Sequence, residues 1–158
     1  MAQSERGQVV ESVDLARYMG KWYEIAAFPT WFERGCCCST AEYTLQGNVV
    51  TVRNSCRRGH RDGKLKTATA KAWPVQGANN AKLKVQFFWP FRADYWIIAL
   101  DPDYRYAMVG HPKRKYLWIL SRTPVMEEQI YRELITAAAC KGYDVRRLRL
   151  TDQGCWRR

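Results

Sequence analysis

The sequence is poor in the groups that most often carry catalysis and metal binding. It has two histidines, His60 and His111, and none of its six cysteines (Cys36, Cys37, Cys38, Cys56, Cys140 and Cys155) forms a CxxC pair. A structural zinc site, which draws on such paired spacings, is therefore not expected. No GxSxG, HExxH or P-loop motif occurs, so nucleophile-elbow, zinc-protease and phosphate-cradle chemistry have no carrier. Three cysteines in a row could serve redox chemistry, but no flanking CxxC supports it. Apolar runs are short, and none approaches the roughly 20 residues of a membrane-spanning helix. The opening MAQSERGQ lacks the apolar centre of a signal peptide; an exported form would have lost its leader and any lipid-anchor cysteine with it. Acidic residues are scarce, 15 against 26 Lys plus Arg, which leaves a formal charge of +11. That charge suits polyanions, anionic membranes or a merely well-solvated surface, and does not choose among them.

What is present describes one domain. A chain of 158 residues can bury a core without metal or cross-links. Residues 1–13 are small and polar and read as a mobile lead-in; 14–158 carry no linker or composition break and read as a single domain. Seven Trp and nine Tyr are enough both to fill a core and to line a pocket for a flat or greasy molecule. An even cysteine count in a small domain suggests disulfides and an oxidising compartment, although six cysteines allow many pairings and their spacing selects none.

From Gly20 onward the chain reads as short strands between turn signals, over 22–28, 39–46, 49–56, 64–73, 82–89, 95–100, 106–109 and 116–121. Gly47-Asn48 suits a two-residue hairpin loop, which sets Gln46 opposite Val49, Leu45 opposite Val50 and Tyr43 opposite Val52. After Thr123-Pro124 the period changes. Thr123 is a good helix cap and Pro124 a good first residue, and Met126, Ile130, Leu134 and Ala138 recur at helical spacing up to Lys141-Gly142. One amphipathic helix of about four to five turns is expected outside the sheet, followed by a strand-like piece over 145–150. Eight short strands joined by short turns indicate an all-β fold, an eight-stranded antiparallel up-and-down barrel with one C-terminal helix packed outside.

Three segments carry a family likeness: Gly20-Lys21-Trp22-Tyr23-Glu24-Ile25, Ile98-Ala99-Leu100-Asp101-Pro102-Asp103-Tyr104, and Leu117-Trp118-Ile119-Leu120-Ser121-Arg122-Thr123-Pro124. Phe32-Glu33-Arg34-Gly35 and Tyr95-Trp96-Ile97-Ile98 add to it. In this order the chain resembles the lipocalin family, in the branch of bacterial lipocalins and apolipoprotein D. The resemblance implies a barrel floor built from Gly20, Trp22 and Arg122, with the guanidinium over the indole, an attraction of about 0.5 to 2 kcal/mol. It implies ligand-lining positions at Tyr43, Trp96 and Trp118, and a bridge from Cys38 to Cys155. Cys36 or Cys37 could replace Cys38, Cys56 could take another partner, and Cys140 is read as a buried thiol.

In a closed barrel alternate side chains point inward. The inward, ligand-binding set is taken as Tyr43, Val52, Ala68, Ala70, Val85, Phe87, Trp96, Ile98 and Trp118; the alanines favour a cavity over a filled core. The expected role is to carry or sequester a small lipophile, a fatty acid or lysophospholipid, whose polar end meets Arg34, Arg92 or a cation of the 57–66 loop. No catalysis, cofactor or metal is expected. Glu24 shares the parity of Trp22 and is read as locally paired near the floor. The rivals are an enzyme of the same fold acting on a lipophile, for which His60 and His111 lie in unpromising loop contexts, and a basic protein at an anionic membrane surface, through Lys113-Arg114-Lys115 and the 57–66 loop. Nucleic-acid binding is disfavoured because the aromatics fall mainly on the inward face, where bases could not stack. A homodimer stays open. The expected location is the periplasm, the outer membrane or outside the cell.

Overall fold

The computed structural model describes residues 8–87 and 92–156. Among these, strands run in chain order as β1 (Gly20–Ala27), β2 (Cys36–Gln46), β3 (Val49–Arg58), β4 (Leu65–Pro74), β5 (Lys82–Gln86), β6 (Ala93–Leu100), β7 (Tyr106–Gly110), β8 (Trp118–Ser121) and β9 (Arg149–Leu150). Two α-helices accompany them, α1 (Leu15–Tyr18) and α2 (Glu128–Cys140). The sheet order is β2-β3-β4-β5-β6-β7-β8-β1-β9, and a further β1–β2 pairing closes the first eight strands into a barrel. Closure removes the unpaired edges that an open sheet of this length would expose.

The β2–β3 ladder has the register its two-residue loop requires, with Gln46 opposite Val49, Leu45 opposite Val50 and Tyr43 opposite Val52. Val52 in turn faces Ala70, Val50 faces Ala72, and Ala72 faces Val85. Because side chains alternate along each strand, this register delivers one continuous apolar row to the lumen.

Two apolar cores result. One lies inside the barrel and includes Trp22, Tyr43, Val50, Ala72, Leu83 and Ile97. The other lies between the outer wall and α2, where Ile25, Phe28, Met108 and Ile119 meet Leu134 and Ala138. Leu134 and Ala138 are the buried stripe of α2, one turn apart.

Several boundaries differ from the sequence reading. Helix α2 begins at Glu128, not after Thr123-Pro124. The Thr123 hydroxyl instead donates to the Val125 carbonyl at 2.8 Å, and the Thr123 N–H bonds to Ser121 Oγ at 3.2 Å, so that residue completes the turn leaving β8. Of the piece over 145–150, Val145–Arg147 is a 3-10 turn and only Arg149–Leu150 pairs with β1. The lead-in is not loose where it is described. Val10 N–H reaches the Ile97 carbonyl and Val13 N–H the Asn79 carbonyl, both at 3.0 Å, and Val13 is buried. Residues 1–7 lie outside the described residues. Helix α1 was not read from the sequence; Asp14 caps it by accepting from the N–H groups of Ala16 and Arg17.

Candidate ligand-binding lumen

The loops at 47–48, 75–81 and 101–105 gather at one end of the barrel, and those at 29–35, 59–64 and 111–117 at the other. The first end is the floor. Trp22 on β1 is fully buried, with its indole N–H donated to the Tyr18 carbonyl at 2.9 Å. Arg122, just past β8, lies over that ring with its guanidinium carbon 3.8 Å from the centroid. It donates to three carbonyls, those of Tyr104 (3.1 Å), Lys21 (3.2 Å) and Arg17 (2.8 Å), which ties three chain segments beneath one indole. Gly20 has a left-handed φ of +99°, and a Cβ there would come within 3.2 Å of Arg122 Nη1, so the close approach needs glycine. Gly20, Trp22 and Arg122 thus form one unit at the base.

Above this plug sit three phenols. Tyr95 OH lies 2.7 Å from both Tyr18 OH and Tyr43 OH, and the Tyr18 and Tyr43 rings stack at 5.6 Å. Burial raises all three phenols above their ordinary range, Tyr43 to about 12, so the triad stays protonated and its hydroxyls bond to each other. A small void with room for about one water is bounded here by apolar atoms of Tyr43, Val52, Ala72, Leu83, Val85 and Tyr95.

The inward set divides in two. Tyr43, Val52, Ala70 and Val85 are buried in the inner core, and Trp118 packs half-buried against it. Ala68 has the same parity as Ala70 but is exposed, one ladder step nearer the open end. Trp96 and Ile98 do not face the lumen. Both belong to the outer core under α2, and the Lys82 ammonium lies 4.3 Å from the Trp96 centroid. The inward residues of β6 are Tyr95 and Ile97. The run Tyr95-Trp96-Ile97-Ile98 is apolar throughout, so it carries no alternation from which parity could be read. The β5–β6 pairing does carry one: Tyr95 opposes Leu83, which shares the parity of Val85, and following that ladder leads to Tyr95. Phe87 lies beyond the end of β5 and is 43% exposed, so it is a rim residue and not a lining one.

At the open end β1 leaves β2 after Tyr23, and the C-terminal segment fills the gap. The Gln153 amide donates to the carbonyls of Glu24 (2.7 Å) and Ser39 (2.8 Å), standing in for missing ladder bonds. Glu24 is buried, and its carboxyl accepts from the Thr151 hydroxyl at 2.6 Å. Burial, and then the Glu33 carboxylate beside it, hold Glu24 well above the usual carboxylate range. Glu33 accepts from the Trp118 indole N–H at 2.9 Å. The local partners of Glu24 thus belong to the tail and to the 29–35 loop, away from the floor where they were expected.

Two disulfides are present, Cys38–Cys155 and Cys36–Cys56. Cys37 is a buried free thiol, and Cys140 is exposed where a buried thiol was expected, on the solvent face of α2. His60 is exposed in the 59–64 loop. His111 packs edge-on against Tyr116 and accepts from the Lys113 N–H at 3.1 Å. Burial lowers its pKa, so it stays neutral at physiological pH. Within Lys113-Arg114-Lys115, Arg114 is engaged, donating to the Lys141 carbonyl at 2.6 Å at the end of α2.

A closed antiparallel barrel, plugged by a Trp–Arg pair at one end, open at the other and flanked by helix α2, defines a cup-shaped binding fold. The lipocalin-like domain model matches residues 13–153, and the chain belongs to the lipocalin family. It is 39% identical over 163 residues to temperature-induced lipocalin-1 of Arabidopsis thaliana, covering 97% of this chain and 86% of that one. It is 43% identical over 138 residues to the outer membrane lipoprotein Blc of Escherichia coli K12, covering 87% and 77%. Insecticyanin of the tobacco hornworm Manduca sexta superposes with a TM-score of 0.74 at 23% identity, over 92% of this chain and 83% of that one, and shares the fold. Binding of small hydrophobic ligands is the general role of this family.

Proposed function

We propose that the barrel carries one fatty acid or lysophospholipid, acyl end toward the tyrosine triad and polar end at the basic rim, and that it catalyses nothing. The observation that carries this reading is the gradient along the inner face of β4: Ala72 is 0% and Ala70 3% exposed, while Ala68 is open to solvent. The lumen is packed at its base, where the void has room for about one water, and Ala68 is solvent-exposed one ladder step above. An acyl chain there removes apolar surface from water at roughly 25 cal/mol per Å². The wall is assigned to Tyr43, Val52, Ala70, Val85, Leu83 and Tyr95, with Ala68 and Trp118 nearer the rim. A fluorescent fatty-acid probe should saturate at one site per delipidated chain and quench tryptophan emission, and Ala70→Trp should abolish that binding while leaving the fold intact. Absence of saturable binding to the unmodified chain overturns the reading.

A second reading concerns where the ligand is collected. Trp31 (81% exposed), Phe32 (38%) and Leu65 (49%) stand at the open end. The Lys66 ammonium ties their two loops by donating to the Phe32 carbonyl at 3.1 Å. Arg34, Arg57, Arg58 and Lys64 surround them, all exposed. Aromatics ringed by cations suit an anionic membrane surface, each charge adding about 1 kcal/mol near the headgroups. Co-sedimentation with vesicles containing anionic lipid, lost in Trp31→Ser/Phe32→Ser, is the expected result; equal binding by the double variant rejects it. Export to an oxidising compartment is supported by the two disulfides and by the outer-membrane naming of the bacterial relatives.

A further inference from the structure

Three consecutive cysteines on a strand should send neighbouring side chains to opposite faces. The structure does otherwise. The β2–β3 register shifts between Cys37 and Thr40, and Cys38 within that bulge has a left-handed φ of +58°, rare for a residue with a side chain. The sulfurs of Cys37, Cys38 and Cys155 consequently lie within 4.8 Å of one another. Cys38 and Cys155 are bridged, and Cys37 is free and buried beside them. The tail is held in place by other bonds as well. Cys38 N–H donates to the Asp152 carbonyl at 2.7 Å, and Arg61 grips the Asp152 carboxylate at 2.9 Å. A thiol is thereby fixed next to a disulfide.

We propose that Cys37, Cys38 and Cys155 form an intramolecular thiol–disulfide exchange site, in which the tail cysteine passes between two neighbouring partners. The Cys37 thiol gives its proton to water, and its thiolate attacks Cys155 Sγ. The Cys37–Cys155 bond forms as the Cys38–Cys155 bond breaks, the electron pair leaves on Cys38, and that thiolate takes up a proton. One disulfide and one thiol exist before and after, so no oxidant or reductant is consumed. Attack on Cys38 Sγ is disfavoured, since adjacent α-carbons are about 3.8 Å apart and disulfides span about 4.4–6.8 Å. The tail that bonds Glu24 and Ser39 therefore keeps a covalent tie when either Cys37 or Cys38 is blocked. Burial raises the Cys37 thiol pKa, with the Asp152 charge adding to it while Arg61 and Arg57 oppose it. Exchange is therefore slow at neutral pH and rises about tenfold per pH unit as the thiolate fraction grows.

The test uses the full chain, alkylated with N-ethylmaleimide under denaturing, non-reducing conditions and weighed intact. In Cys38→Ser refolded in a glutathione redox buffer, whose glutathione disulfide is the oxidant, bridging of Cys155 to Cys37 leaves Cys140 as the single alkylated thiol. Alkylation of Cys37, Cys140 and Cys155 together overturns the proposal. Should that variant fail to fold, the unmodified chain decides. It is held at pH 8, acid-quenched, alkylated and mapped by tandem mass spectrometry. Label appearing on Cys38 with time, together with a Cys37–Cys155 linkage, supports exchange; label confined to Cys37 and Cys140 at all times refutes it.

Discussion

At the floor, Arg122 stacks on Trp22 and gives its N–H groups to three backbone carbonyls. At the rim, two carboxyl groups, Glu24 and Glu33, share a corner with an indole N–H and a threonine hydroxyl, and a disulfide ties the tail across the opening. The floor is held by packing, and its Arg122 guanidinium has both a stack and three carbonyls. The rim is held by a covalent link and by the buried Glu24 carboxyl, which burial and then the neighbouring Glu33 carboxylate hold well above the usual carboxylate range. The proposed ligand-holding role suits this asymmetry, with one end closed by packing and the other by bonds that can be undone.

The largest effect is expected where the floor is broken. Trp22→Ala removes a fully buried indole and the surface on which Arg122 rests, and should cost about 3–5 kcal/mol in urea unfolding. Cys155→Ser removes both bridges open to the tail across a separation of 117 residues and should cost about 2–4 kcal/mol. Limited proteolysis should then cut after Leu148 without loss of the barrel. A Cys155→Ser cost above that of Trp22→Ala would invert the comparison and make the rim the stronger end. Between the two regions lies the phenol triad. Tyr95→Phe deletes the hydroxyl that both Tyr18 and Tyr43 use, leaving two buried hydroxyls without it, for a loss of about 1–3 kcal/mol. An unchanged unfolding midpoint would mean that a water replaces that hydroxyl.

The same contrast explains what could be read from the chain. Gly20-Lys21-Trp22 and the segment ending at Arg122 are short motifs whose family resemblance placed the floor, although Arg122 meets Lys21 across 101 residues. The two-residue loop at Gly47-Asn48 fixed the β2–β3 register and with it Tyr43 and Val52. Parity failed at β6, where every residue from Tyr95 to Ile98 is apolar and a register shift between Ile97 and Ala99 follows. Trp96 and Ile98 were therefore assigned to the wrong face, and Tyr95 was missed. The rim was hidden for a different reason. Gln153 meets Glu24 across 129 residues and Ser39 across 114, and nothing in the local pattern around position 153 announces either bond.

The smallest expected effect tests the rim's electrostatics. Glu24 keeps a proton in the folded state because burial, and then the Glu33 carboxylate, oppose its ionisation. The unfolded chain gives up that proton near the ordinary value of 4.5. Between that pH and the raised folded value, the folded state binds more protons, so stability falls as pH rises through this window and is fully present below it. Glu24→Gln keeps the side chain's shape and an oxygen for the Thr151 hydroxyl but cannot titrate. Its melting temperature should stay level across that window while the unmodified chain loses a few degrees, so the gap widens toward alkaline pH. Trp118, bonded to Glu33, supplies a local reading, since its emission should shift with pH in the unmodified chain and hold steady in the variant. If both proteins lose stability in parallel, the titrating group lies elsewhere, and the tail disulfide alone distinguishes the rim from the floor.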